Sequence, residues 1–508
     1  MTTIAGNTTR PASVTPARPA PARPRVYWTA FAVLMTLTSL WSLATPVVSG
    51  PDENVHVIKA AAVVRGDLYG RSAPGNPGAG EVDIPAIYAV TASYPVCFAF
   101  RGGVAADCAP ELPRGEAAEQ TMTASTWVIR NNPAYYAVVG LPTFLPPGEY
   151  VFYLMRLVSA GLCSLVLAWG FVALADVTRR TFVAAGVATA LMPMVVYLNS
   201  IVNSSGLEIS AALTLWITLL ALVRAPDPAR LTSRMAGIAV VTVVLLNSRG
   251  LSPLYIAAIV VMVAVVVGPW ATVRRTMLDR RSWPWLGLVV AGTVPALWWT
   301  LSAGTLEGGG GGHPELGFRT TANRTFFETG DFLLVAIGRF GWLDTSLPTL
   351  GYVAFAAVGG FLVLLAFLLG DRRGRVAMVS VLAVAVLLPV IVHAWQASNV
   401  GYIWTARYSM PLYVGVAATA GFVCRDAFIE LPRRLAERTL NLVASLMATG
   451  LTLALVVTLR RYTIGDQGSW WGVFDGPWAP PVPSAVLLGI HVVASAAGAR
   501  LLARLARD

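Results

Sequence analysis

The sequence predicts an all-α integral membrane protein with about twelve transmembrane helices. Three observations predict it. Of the 508 residues, 56% are hydrophobic and only 12% charged, with a mean hydropathy of +0.64; a soluble domain carries roughly 25% charged residues, so the implied solvent is lipid. Apolar runs recur along the chain, each long enough to cross a hydrocarbon core of roughly 30 Å as a helix. The charges are also sorted. With loops assigned alternately to two sides, one side collects most of the 37 basic residues and the other most of the 26 acidic ones, the positive-inside pattern. The net charge of +11 is thus a matter of topology and gives no reason to expect nucleic acid as a partner.

Spans are expected at 26–47, 150–175, 181–199, 207–223, 235–247, 251–270, 285–303, 349–369, 376–395, 409–424, 440–459 and 485–503, the fifth short and breakable near Asn247. Residues 1–25 are rich in Pro, Ala, Thr and Arg, a composition that buries too little surface to order itself, and are expected to be a disordered cytoplasmic tail. A cleaved signal peptide is the competing reading, but the apolar run from Val26 to Val47 exceeds the roughly 7–15 residues of its hydrophobic region. Arg10, Arg18, Arg23 and Arg25 precede the first span and Arg500, Arg504 and Arg507 close the last, which places both termini in the cytoplasm. The transmembrane domain is expected over 26–460, followed by a C-terminal exported loop and last helix in 461–508.

Cytoplasmic loops are short and basic, whereas the exported ones are long, at 48–149, 304–348, 396–408 and 460–484. Long loops tend to carry function. In the first, Ser49-Gly50-Pro51-Asp52-Glu53 precedes Val55, Ile58 and Ala62, a stripe that predicts a helix lying against the membrane surface. Polar loop is expected to follow up to about residue 120. Gly308 to Gly312 read as a flexible linker, with a lid hinge as the competing reading. Cys97 and Cys108 share the first loop; a disulfide and two free thiols are both compatible with ten intervening residues.

A transporter is expected to keep ionisable groups near the bilayer midplane. The intramembrane candidates, Arg156, Glu208, His393 and His491, fall instead near the exported ends of their helices. Polar groups gather at that interface: Asp52, Glu53 and His56 after the first span, Asn199, Asn203 and Glu208, then Arg249, Asp344, and Tyr402 to Arg407. This pattern suits a substrate with a membrane-bound tail and a soluble head. If 51–66 is helical, Asp52 and His56 stand at i and i+4 on one face, and either carboxylate can take a proton from an acceptor hydroxyl. The bland reading is that Pro-Asp-Glu merely starts a helix. Arg249 and Arg407 offer planar forks for phosphate, against the alternative that they reach for lipid headgroups. Asn203 and Glu208 can equally cap and solvate a helix start, and Trp342, Trp404, Trp470 and Trp471 read as an interfacial belt, with a sugar platform as the functional alternative.

Taken in order, Pro51-Asp52-Glu53-x-x-His56, Asn132-Pro133-Ala134-Tyr135-Tyr136, Asn203-x-x-Gly206-Leu207-Glu208, Gly341-Trp342-Leu343-Asp344-x-x-Leu347-Pro348 and Ala406-Arg407-Tyr408-x-x-Pro411 resemble a family of bacterial polytopic membrane proteins catalogued as domain of unknown function 2142. The family is similar in plan to the GT-C glycosyltransferases. The sequence departs from its pattern at Ala134, at Ala406 and at Ser204-Ser205, which replace an acid-containing pair.

The resemblance implies a GT-C-like fold in the bacterial inner (plasma) membrane and transfer of a sugar from a polyprenyl-phosphate donor to a cell-envelope glycan, lipid or protein on the exported side, with inversion. Asp52 or Glu53 would be the base. His56, Tyr135, Tyr136, Asn203, Glu208, Arg249, Asp344, Tyr402 and Arg407 would bind substrate, and Arg249 or Arg407 would stabilise the leaving phosphate. Some GT-C members need a divalent metal (Mg or Mn), for which Asp52, Glu53 and Asp344 could supply oxygen ligands. A lipid or glycan transporter and a non-catalytic scaffold for envelope assembly are the alternatives.

Overall fold

In the computed structural model, residues 23–73, 75–305, 312–427 and 432–506 are described. Most of the expected N-terminal tail and most of the Gly308–Gly312 linker lie outside them. The helices are α1 (Arg23–Leu43), α2 (Glu53–Val63), α3 (Pro133–Val139), α4 (Glu149–Ala175), α5 (Thr181–Ala190), α6 (Pro193–Asn199), α7 (Ser204–Arg224), α8 (Leu231–Leu246) and α9 (Ser252–Val261). They continue with α10 (Trp283–Ser302), α11 (Phe318–Phe327), α12 (Thr329–Gly338), α13 (Thr349–Leu369), α14 (Arg372–Val400), α15 (Ala406–Asp426), α16 (Arg433–Thr463) and α17 (Ser484–Leu505).

Among the described residues nine helices are long and apolar enough to cross a membrane: α1, α4, α7, α8, α10, α13, α14, α16 and α17. A tenth span results if α5 and α6 count as one, but these are bent by 60° where a single run over 181–199 was expected. The cause is Pro193, which takes the first position of α6 and cannot continue α5. The expected spans 251–270 and 409–424 fall on α9, which runs on as a π-helical turn over Met262–Val267, and on α15. Neither meets the length and composition of a lipid-facing span. For α15 the reason is its position: it packs against α5, α7, α13 and α14 and buries Arg407, Ser409 and Thr419 among them.

α7 lies at the centre, buried along almost its whole length between α4, α8 and α15. The outer helices α10, α13 and α14 expose large apolar side chains such as Val290, Leu301, Leu350 and Phe361. Such faces need an apolar solvent.

The first long loop is a folded unit, and here the structure corrects two expectations. Residues 71–126 include an antiparallel sheet of order β1-β2-β3, made by β1 (Arg71–Ala73), β2 (Asn76–Pro85) and β3 (Thr121–Thr126). β2 alternates Val82 and Ile84, both buried, with exposed Asp83; Val82 pairs with Ala124 and Asp83 with Thr123. Too few residues carry that alternation to stand out beside twelve apolar runs. Second, α2 does not lie on a membrane surface. Every one of its residues is buried, because the sheet covers one side and α3 another. The α3 contact is close: a Cβ on Gly140, just past α3, would come within 2.4 Å of the Ala60 carbonyl oxygen.

Cys97 and Cys108 form a disulfide. Arg461 near the end of α16 donates to the Phe98 and Val104 carbonyls at 2.7 and 2.6 Å, which ties the disulfide segment to the bundle.

Candidate functional site

The site begins where α1 hands the chain to α2. Asp52 is the residue before α2 and adopts a left-handed conformation, φ 59°, which an aspartate tolerates better than most residues. Its carboxylate makes no capping bond to α2. It forms an ion pair with Arg407 in the first turn of α15. The turn is held by its neighbours: the Pro51 carbonyl accepts from Asn203 Nδ2 at 2.9 Å and Arg407 Nη1 at 3.3 Å, while Asn203 Oδ1 caps α7 through the Ser205 amide at 2.9 Å.

Around Asp52 the other groups close in. Arg407 donates to the Tyr408 hydroxyl at 3.2 Å, and its guanidinium carbon lies 5.1 Å from the Tyr408 ring. Arg249, from the α8–α9 connection, stands 4.8 Å from the same ring, bonds the Ser205 hydroxyl and lies 3.9 Å from Glu208. Glu208 accepts from Ser252 at 2.6 Å. On α2, His56 Nδ1 lies 2.7 Å from the Tyr136 hydroxyl, which also accepts from Asn131 at 3.0 Å. Two basic forks thus share one aromatic ring between two carboxylates, Asp52 and Glu208.

The electrostatics follow from that packing. Burial raises the Asp52 carboxyl, but the positive charge beside it, Arg407 first and then Arg249, works the other way and the net shift is downward, so Asp52 is ionised at neutral pH. His56 is driven down to about 3, chiefly by burial and with help from Arg249, Arg407 and Lys59, although Asp52 opposes it. It is a neutral imidazole. Lys59, the chain's single lysine, is lowered to about 7 by burial.

Glu53 points away from Asp52. Its two oxygens take Arg156 Nε and Nη2, both at 2.7 Å, and the Gly50 and Val202 amides, both at 3.0 Å. Arg156 spends its remaining donors on the carbonyls of Ser42, Thr45 and Pro46. This pair is a rivet between α4, the end of α1 and the start of α2. The side chain of Glu53 is 1% exposed, against 21% for Asp52 and 17% for Arg249. Accessibility therefore separates the two adjacent acids.

Other expected residues lie elsewhere. Asp344 accepts from the Phe100 amide at 2.8 Å and lies 3.6 Å from Arg461, beneath the disulfide segment. Tyr135 bonds Ser159. Tyr402 donates to Glu328 at 2.7 Å and packs on His393, and a run of ring contacts through His393, Trp404 and Tyr408 links it to the Asp52 group. The metal set Asp52, Glu53 and Asp344 is not assembled, because each carboxylate is held by a different arginine: Arg407, Arg156 and Arg461. Among the described residues no group of three or more His, Cys, Asp or Glu is placed to hold a metal ion.

Sequence reasoning assigned no role to Arg156, Ser205, Tyr408 or Ser252. For Arg156 a signal existed, since an arginine inside a span has to find a partner. Ser205, where an acid had been expected, bonds Arg249.

Fold and site define a polytopic α-helical membrane protein with a covered polar centre at the end of the bundle that carries the long loops. The chain belongs to the family described as "Predicted membrane protein (DUF2142)", which matches residues 35–416. No curated protein matches it. A solved structure, that of ArnT from Cupriavidus metallidurans bound to undecaprenyl phosphate, is similar at 12% identity and a TM-score of 0.43, covering 96% of this chain and 78% of that one.

Proposed function

We propose that the protein is a GT-C-type membrane glycosyltransferase, moving a sugar from a polyprenyl-phosphate donor to a cell-envelope acceptor on the exported side. The observation that carries this reading is the partly exposed Asp52 carboxylate beside Arg407 and Arg249 at one end of the helices. A base and two phosphate-sized forks at a lipid boundary match a substrate with a charged head and an isoprenoid tail. The family resemblance of the Pro51-Asp52-Glu53 segment supports the same assignment.

In the reaction, Asp52 takes the proton of the acceptor hydroxyl while that oxygen attacks the anomeric carbon from the face opposite the phosphate. The carbon–oxygen bond to phosphate breaks, its electron pair leaves with the polyprenyl phosphate, and the configuration inverts. Arg249 and Arg407 stabilise the charge that develops on the leaving group. A phosphate that shares Arg407 also loosens that arginine's hold on Asp52 and so strengthens the base. Glu53 is a positioning residue in this scheme, fixing the turn that aims Asp52. Tyr136 and His56 line the acceptor side as neutral hydrogen-bonding groups, and Asn203 braces the turn.

The test is release of polyprenyl phosphate from a panel of lipid-linked sugars by purified protein. Wild type should turn over at least one donor, and Asp52→Asn, folded in detergent, should lose on the order of 10²–10⁴-fold in rate. Full turnover by Asp52→Asn refutes the assignment of the base.

A further inference from the structure

Helices α7 and α15 deliver Ser205 and Arg407 to the Asp52 site from their first turns. Each has 21 residues, so their last turns lie about 30 Å away, at the opposite end of the bundle. There they border a cavity of about 1010 Å³ lined by Arg179, Arg224, Arg375 and Arg425, with Asp371 and Asp426. The transferase reaction has no use for it. We propose that this cavity binds a phosphate-bearing group, carried by an anionic lipid headgroup or by a soluble compound.

The four guanidinium groups come from four separate elements: the α4–α5 connection, the end of α7, the start of α14 and the end of α15. The two carboxylates are already engaged. Asp426 is shared, accepting from Arg224 at 2.6 Å and Arg425 at 2.7 Å, and Asp371 accepts the Gly374 amide at 2.7 Å as the cap of α14. Among the described lining residues four guanidinium groups stand against two carboxylates, so positive charge is in excess there.

Arginines at helix ends often do no more than snorkel to lipid phosphates, and Arg224 and Arg425 occupy C-terminal turns that welcome a cation. Two features go beyond that. Arg375 stands in the first turn of α14, where the helix dipole disfavours a cation. The forks are also pinned by main-chain carbonyls: Arg224 to Val267 at 3.0 Å, Arg425 to Thr178 at 2.9 Å and to Arg224 at 3.1 Å, and Arg375 to Gly370 at 2.9 Å. Pinned forks around a concave wall are preorganised for phosphate oxygens, whereas a snorkelling side chain is free to move. Val223, Leu369 and Val423 give the cavity an apolar side, which suits a headgroup entering from a leaflet. Under the proposed topology that is the cytoplasmic leaflet.

The test uses the full-length protein purified in a phosphate-free neutral detergent. Native mass spectrometry counts retained phosphatidylglycerol against an equal amount of phosphatidylcholine, and the melting temperature reports added pyrophosphate. One site should hold phosphatidylglycerol or pyrophosphate in preference to phosphatidylcholine. Arg375→Gln should weaken it roughly five-fold, Arg375→Lys, which keeps the charge and loses the fork, should weaken it by less than that, and high salt should weaken it. Arg375 is exposed, so the bundle tolerates both changes. Retention of phosphatidylglycerol alone assigns a lipid headgroup, and a response to pyrophosphate alone assigns a soluble ligand. Binding of neither, or binding that Arg375→Gln leaves unchanged, overturns the proposal.

Discussion

Asp52 and Glu53 are neighbours in sequence and opposites in environment. The left-handed turn at Asp52 sends one carboxylate outward to Arg407 and leaves the other on α2, facing Arg156 inside the protein. Their substitutions should therefore part company. Glu53→Gln leaves the Arg156 guanidinium buried without its counter-ion, which is expected to cost roughly 3–5 kcal/mol and to appear as a lowered melting temperature or lost expression. Asp52→Asn also takes a carboxylate from a buried arginine, Arg407, but at a partly exposed site, so it should lower the melting temperature by less than Glu53→Gln does while abolishing transfer. His56 adds a pH signature. The unfolded chain binds a proton near the ordinary histidine value of 6.5, but the folded one resists until about 3. The unfolded state thus holds more protons between these values, and stability that is full above pH 6.5 is lost as the pH falls towards 3. Thermal melts between pH 4 and pH 8 should show this slope, and His56→Gln should flatten it.

At the scale of elements, α2 is the piece that aims the site, and its fit against α3 is tight. A methyl group on Gly140 would meet the Ala60 carbonyl at 2.4 Å and a Val64 methyl at 2.7 Å. Gly140→Ala is therefore expected to destabilise by about 1–3 kcal/mol, read as a lower melting temperature, and to reduce transfer by shifting α2. Much of this scale was legible in the sequence. The apolar runs placed the long helices, and Pro51-Asp52-Glu53 after the first of them marked the start of α2. Arg249 and Arg407 were legible as phosphate-sized forks near the same interface. The sheet was not, because Val82 and Ile84 are too short an alternation. The burial of α2 was not either: its stripe of Val55, Ile58 and Ala62 reads the same whether lipid or a sheet covers it. Nor does sequence say which of two adjacent acids turns outward, since a single positive φ decides it.

For the whole molecule, the helices set two polar regions at opposite ends, an acid with two arginines at one and an arginine-lined cavity at the other. The sorted charges of the sequence orient that axis, with the basic end expected in the cytoplasm. The proposed mechanism stands on this orientation, because an envelope acceptor would meet Asp52 only if the Asp52 end faces out of the cell. A cysteine placed at exposed Thr121, in the sheet that covers α2, reports it directly. In intact cells, Thr121→Cys should react with a membrane-impermeant maleimide. Reaction only after the membrane is permeabilised would put Asp52 in the cytosol and contradict the account.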